Sequence, residues 1–457
     1  MPLNIFTAVI FNGTDSIPHF DLILYRILPI VATIGFLKWM FKGKKNIWER
    51  NLHGKVFILT GATSSNGMGA SVAYDLAMKG AQLIILSSKM DQFTIDFIHD
   101  LRRKTENELI YSEFCDFADL SSVRKFATNW IDNISPRRLD GIVLMHGEMQ
   151  PIMGKKRYER HYTKDGLEMQ IGVNCIGTFH LLNLLKPCIK AQPPDRDVRI
   201  IYSTCIWQAM GDVWPEDPCM SEVSFVSHKF FASSKLQMSL LLVELHRQLV
   251  VNDEKEIKAA EEGDKLARAN ISTTIVQPGI MRSGTLRRVI SNGSVWALLV
   301  VYVGILYPFL WLFIKSGYNG AQSILYSLYT PEFERINLES MDGKFTLGIP
   351  GCNYVLNCNI QPKFYKKEFY DIKLQSVLYN NMCKQIEHVE KKTAAMKNQT
   401  KKEQEEENKK EQNVDKDTNN ENTDIDTETK KNSVNKKKDS KSKSKTSKSK
   451  NKKLNKW

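Results

Sequence analysis

The stretch Gly54–Ser88, GKVFILTGATSSNGMGASVAYDLAMKGAQLIILSS, constrains the fold more tightly than any other part of the chain. Val56–Leu59 and Leu83–Leu86 are short, β-prone apolar runs of the kind that become fully buried strands. Between them Ala70–Met78 has helical spacing and is closed by Gly80. Strand, glycine turn, helix and strand in that order predict a βαβ unit in a parallel sheet with helices on its faces. In that setting the glycines acquire a chemical meaning. They let backbone N–H groups approach a pyrophosphate placed at the N-terminus of the following helix. Gly61, Gly67, Met68 and Gly69 are therefore candidate dinucleotide-binding residues.

Further motifs follow in order along the chain. They are CDFADLSSVRKFA (Cys115–Ala127), LMHG (Leu144–Gly147), YTKDGLEMQIGVNCIGTFHLLNLL (Tyr162–Leu185), RIIYSTCI (Arg199–Ile206), FASSK (Phe231–Lys235), TTIVQPGIMRS (Thr273–Ser283), KSGYNGAQSILYSL (Lys315–Leu328) and DGKFTLG (342–348). With the glycine loop they make the chain resemble the short-chain dehydrogenase/reductase family over roughly residues 54–350, closest to its membrane-associated, retinol-dehydrogenase-like branch. The resemblance implies an α/β fold, a Rossmann-type doubly wound parallel sheet, over a domain at about 46–390. It also implies a nicotinamide cofactor and hydride transfer to or from a CH–OH group.

Carried over residue by residue, the resemblance gives Asp116 the adenine amino group and Asn174 the position of the family's catalytic asparagine. The catalytic serine position falls on Thr204, whose hydroxyl is expected to bond a substrate oxygen. Lys235 is the catalytic lysine, and Pro278, Gly279 and Ser283 flank the nicotinamide. The family's TGxxxGxG loop is here two residues longer, and its NNAG stretch keeps only the glycine of LMHG. His146 in that stretch reads as a loop or pocket residue. The second strand ends LSSKM, with no carboxylate for a ribose hydroxyl, and Lys89 stands where NADP-dependent relatives carry a basic residue. NADP(H) is therefore expected ahead of NAD(H).

The largest departure is Phe231. In the family a tyrosine four residues before the lysine gives or takes the proton, and the lysine lowers its pKa and holds the nicotinamide ribose. Losing a positioned acid costs about 10²–10⁴-fold, which slows hydride transfer without forbidding it. The substitutes available in the sequence are His228 one helical turn back, Lys235 acting through water, and Tyr202 near a strand end.

Two apolar stretches bear on location. Leu22–Phe41 is about twenty residues, enough to cross a hydrocarbon core, with Arg26 and Lys38 near its ends. Lys42, Lys44 and Lys45 follow it, so the positive-inside rule places the downstream chain in the cytosol. The competing reading is a buried amphipathic helix. Val295–Ile314 carries no charge, but the family-like segments on both sides of it belong to one domain. It reads as an insert dipping into the cytosolic leaflet, ahead of a core helix or a true span. The expected location is a single-pass membrane protein, in the endoplasmic reticulum, with a cytosolic catalytic domain.

The net charge of +13 is local: residues 430–457 hold thirteen lysines and one aspartate, leaving about +1 for the other 429 residues. Charge thus gives the folded part no support for nucleic-acid binding. From Lys391 to 457 the chain is Lys/Glu/Asn-rich and too poor in apolar residues to fold on its own. This tail is expected to be disordered and to meet anionic lipid headgroups or a protein partner. The eight cysteines form no CxxC pair and no ligand-like cluster, so no metal is expected.

Together these observations predict a membrane-anchored (22–41), NADP(H)-dependent oxidoreductase acting on a lipid-like alcohol or ketone. The residues leave two alternatives open: an NADP(H)-binding pseudoenzyme that regulates or scaffolds a membrane partner, and a structural adaptor with an empty pocket.

Overall fold

The computed structural model describes residues 22–399 apart from 66, 133–136, 153–154, 194–195, 251–269, 292–293, 334–351 and 398. The apolar runs form one sheet: β1 (Val56–Thr60), β2 (Gln82–Ser87), β3 (Ile110–Phe114), β4 (Gly141–Leu144), β5 (Val198–Ser203), β6 (Ile271–Gln277), β7 (Asn353–Leu356) and β8 (Asn359–Ile360). Their order is β3-β2-β1-β4-β5-β6-β7-β8. All pairs are parallel except β7–β8. The strand order reverses between β1 and β4, where Phe57 stands opposite Gly141, and the carboxyl ends on either side of that switch point form a crevice.

Strand alternation sends side chains to two cores. Val56 and Ile58 of β1 join one face and Phe57 and Leu59 the other. The first face is covered by α4 (Leu120–Ile131), α5 (Thr178–Lys190) and α6 (Ser227–Val250), through Phe126, Trp130, Phe179 and Leu240. The opposite face is covered by α2 (Met68–Met78), α3 (Gln92–Thr105) and α9 (Gly317–Tyr329), through Leu76, Phe97 and Ile324. Side-chain caps fix where three of these helices begin: Asp91 accepts from Thr94 N, Asp119 from Ser121 and Ser122 N, and Ser316 from Asn319 N.

The first apolar stretch is π-wound over Ile23–Ile27 and continues as α1 (Leu28–Phe41). No residue of α1 is buried, which excludes the buried amphipathic reading. The second is helical over 295–313, π-wound over Ala297–Leu306 and continuing as α8 (Tyr307–Phe313), preceded by α7 (Gly284–Ser291). Only Tyr302 is buried along those π and α segments, so this stretch is not a core helix either. Among the described residues no helix is long and apolar enough to cross a membrane. The two stretches touch. Phe41 and Phe313 meet edge-on at 5.2 Å, and the Lys38 amine lies 4.5 Å over the Trp311 ring and donates to the Trp311 carbonyl.

A helix labelled α10 runs over 372–397. Most of the charged tail, and the DGKFTLG segment matched to the family's last strand, lie outside the described residues.

Candidate active site

The glycine turn after β1 is shaped by close contacts. Gly61 has φ +74° and Gly67 φ +130°, conformations that favour glycine. A Cβ on Gly69 would lie 2.2 Å from the Gly61 carbonyl oxygen, so α2 is held directly against the turn. A Cβ on Gly67 would meet nothing within 4 Å. Gly67 is the N-cap of α2 and gives it no side-chain cap. A helix N-terminus without a side-chain cap, reached through a glycine turn, suits a pyrophosphate, so the residues present fit a dinucleotide. The extra length of the loop goes outward: Thr63, Ser64 and Ser65 line a 720 Å³ cleft with Phe93, Asp96 and Arg103 of α3.

The other sequence-derived cofactor residues sit at carboxyl ends of strands. Lys89 is exposed just past β2. Asp116, just past β3, accepts from Ala118 N at 3.0 Å and lies 3.6 Å from the Lys164 amine. Gly279, past β6, has φ +89°, and Lys315 donates to the Pro278 carbonyl at 3.1 Å and to Asn357 Oδ1 at 2.6 Å. Ser283 Oγ accepts from Leu286 N at 3.1 Å where α7 begins.

Asn174 lies in the π turn Gly172–Gly177 that precedes α5. Its amide is held on both sides: Oδ1 accepts from Glu148 N at 2.7 Å, and Nδ2 donates to Glu148 O at 2.8 Å and to Ser234 Oγ at 3.1 Å. Lys235, 5 % exposed, donates to the His146 carbonyl at 3.2 Å, and its amine lies 5.2 Å over the Tyr202 ring. Burial lowers its pKa, and the neighbouring Cys205 and Cys175 work in the opposite direction. A Cβ on Gly147 would come within 3.2 Å of Lys235 Nζ and 3.7 Å of Asn174 Oδ1. Asn174, Lys235 and the loop after β4 therefore meet at one point.

Phe231, on α6, is buried with Met149 and Val289, with Ile152, Cys205 and Trp207 packed around them. Thr204 is tied to a neighbouring side chain. Its hydroxyl, in a residue 3 % exposed, donates to Gln208 Oε1 at 2.7 Å, an acceptor shared with Ser239 Oγ at 3.1 Å. The next residue, Cys205, packs against the cluster that contains Phe231. The frame is set by the extended Cys205 backbone (φ −142°, ψ 168°), which opens the 3-10 turn Ile206–Met210.

Three further residues clarify the site. His146 is not a free loop residue: Nδ1 bonds Thr60 Oγ1 at 2.7 Å, Nε2 bonds Thr178 Oγ1 at 2.9 Å, and the ring stacks on Phe117 at 4.1 Å. Burial, then the charge of Lys235, push its pKa down to about 3. The Tyr202 hydroxyl is buried with no hydrogen-bond partner, and burial holds its pKa well above the ordinary phenol value. His228 is partly buried, with its ring 6.4 Å from that of Trp207.

A family of enoyl-(acyl carrier protein) reductases matches residues 61–220. An uncharacterized oxidoreductase of Saccharomyces cerevisiae is 49% identical over 404 residues, 88% of this chain and 96% of that one. The chain belongs to the short-chain dehydrogenase/reductase family. An uncharacterized oxidoreductase of Schizosaccharomyces pombe is 36% identical over 79% of this chain and 89% of its own. Human polyprenol dehydrogenase is 25% identical over 76% of this chain and 88% of its own. Membership makes the chain an oxidoreductase acting on CH–OH groups, with a nicotinamide dinucleotide to supply or accept the hydride. In the chain itself, Asn174 holds the loop after β4 through the Glu148 backbone, and Lys235 holds it through the His146 carbonyl.

Proposed function

We propose that this short-chain dehydrogenase/reductase is attached to a membrane and uses NADP(H) to interconvert a lipid-like alcohol and its carbonyl compound. The carrying observation is where the apolar segments end. Lys315, which closes the helical stretch 295–313, is bonded to Pro278 beside the candidate nicotinamide site, and a Cβ on Gly43, just past α1, would lie 2.8 Å from the Lys315 amine. At the other end of that stretch Arg288 pairs with Glu148 at 2.8 Å, beside Asn174. Both ends thus return to the domain that holds the site. This arrangement suits an insert lying in one leaflet while Leu22–Phe41 anchors the chain. The name of the human polyprenol relative is consistent with a long apolar substrate.

Lys89, exposed just past β2, supports the NADP(H) preference, and the neighbouring Asp91 carboxylate is engaged in capping α3 through Thr94 N. The test is titration of the full chain in detergent with NADPH and NADH. NADPH should bind more tightly, and Lys89→Glu should reverse the order. Equal affinities in wild type would remove the preference.

A second reading rests on Phe231, which stands where the family carries its proton-donating tyrosine and is sealed into an apolar cluster. Under it the protein binds NADP(H), performs no turnover and acts on a membrane partner.

A further inference from the structure

The site has a hydride-transfer frame and no phenol at position 231. The question is which group in this chain can supply a proton at that point.

Tyr202 is 1 % exposed beneath Lys235, and burial holds its phenol neutral. His228 sits one turn before Phe231 with its ring 6.4 Å from that of Trp207, and it is not among the groups packed on the Phe231 cluster's apolar side chains. The Thr204 hydroxyl is committed to Gln208. Cys205 is different. Its side chain packs directly on the Met149, Phe231 and Val289 cluster and is partly open to solvent. It also interacts electrostatically with Lys235, which is buried and donates to the His146 carbonyl. Cys205 stands at the N-cap position of the 3-10 turn Ile206–Met210, where the Trp207 and Gln208 backbone N–H groups favour its thiolate.

We propose that the Cys205 thiol delivers the proton that Phe231 cannot. The inference rests on the reading of the chain as a working oxidoreductase. In the reducing direction hydride from the nicotinamide cofactor adds to the carbonyl carbon, and the C=O π pair moves to oxygen. That oxygen takes the Cys205 proton: an O–H bond forms and the S–H bond breaks. The thiolate left behind is stabilised by the Lys235 ammonium and the two turn amides, and is reprotonated by Lys235, which recovers its proton from water. Oxidation runs the same steps backward.

Burial raises the thiol pKa, while Lys235 and the amides of Trp207 and Gln208 oppose the rise. The other ionisable groups that interact with the thiol are Tyr202 of β5, Tyr354 of β7 and Tyr365, all phenols that burial keeps neutral. Lys235 is therefore the cation that controls it.

The experiment has two arms, both on the full chain in detergent micelles. In the first, without cofactor, iodoacetamide modification of Cys205 is followed by mass spectrometry across pH, with half-buried Cys383 as internal comparator. Lys235→Met should slow modification of Cys205 about tenfold at pH values below its midpoint and leave Cys383 unchanged. Superimposable profiles would overturn the proposal. In the second arm retinal is reduced with NADPH. Cys205→Ala should lower kcat by about 10²-fold or more with unchanged NADPH affinity, and Cys205→Ser should restore part of it. If wild type turns over and Cys205→Ala matches it, the proposal alone fails. If wild type binds NADPH and reduces neither retinal nor a polyprenal, the functional reading fails and the proposal with it.

Discussion

Acidification should destabilise this protein through one ring. Burial and the nearby Lys235 charge hold the pKa of His146 at about 3 in the folded chain, against about 6.5 when unfolded. The folded value is the lower one, so the unfolded chain binds the proton first as pH falls. The stabilisation is complete above about pH 6.5 and is lost progressively toward pH 3. At about 1.4 kcal/mol per pH unit, the loss reaches roughly 2.7 kcal/mol by pH 4.5, a sizeable share of a typical 5–15 kcal/mol. His146→Gln keeps a hydrogen-bonding side chain for Thr60 and Thr178 but cannot take up that proton. The assay is urea unfolding of both proteins at about pH 7.5 and pH 4.5, read by tryptophan fluorescence. Other titrations cancel in the double difference, including that of Glu390, which His180 and Arg124 hold at about 2 against the effect of burial. The glutamine variant should start less stable and lose about 2–3 kcal/mol less on acidification. Equal losses in the two proteins would refute the assignment of a neutral, buried His146.

Three other outcomes follow from the geometry. Gly69→Ala puts a methyl 2.2 Å from the Gly61 carbonyl oxygen, so α2 must move off the turn; NADPH titration should show at least a tenfold weaker complex with circular dichroism retained. Tyr202→Phe removes a buried hydroxyl that has no partner and should raise the urea midpoint by an amount equivalent to roughly 1 kcal/mol. Deleting residues 1–45 should weaken flotation with liposomes without abolishing it, because exposed Trp296, Val300, Phe309 and Trp311 remain on the second apolar stretch. Complete loss of flotation would remove that stretch from the membrane reading.

Much of this architecture was legible in the chain because its strands are buried on both faces and read as unbroken apolar runs. The β1–turn–α2–β2 unit falls where VFILT, the glycines and QLIILS place it. Asn174 and Lys235, sixty-one residues apart in the sequence, come together because the π turn before α5 and the middle of α6 pack on the same face. What stayed hidden depended on one residue of phase or on tertiary contact. Beyond the end of β5 no alternation dictates that Cys205 packs on the Phe231 cluster or that the Thr204 hydroxyl bonds Gln208. The role of His146 was equally illegible, since its partners Thr60, Phe117 and Thr178 come from three distant segments. The π-winding within both apolar stretches left no trace in their hydropathy.

The central claim is that this site transfers hydride despite Phe231. Its most direct test is a single turnover: NADPH bound to the full chain, mixed with retinal or a polyprenal, with nicotinamide absorbance and alcohol product followed together. The account predicts that wild type loses NADPH in step with alcohol formed, and that Lys235→Ala binds NADPH without consuming it. If wild type and Lys235→Ala are equally inert while Phe231→Tyr consumes NADPH, the account is contradicted and the protein is a cofactor-binding relative that has given up catalysis.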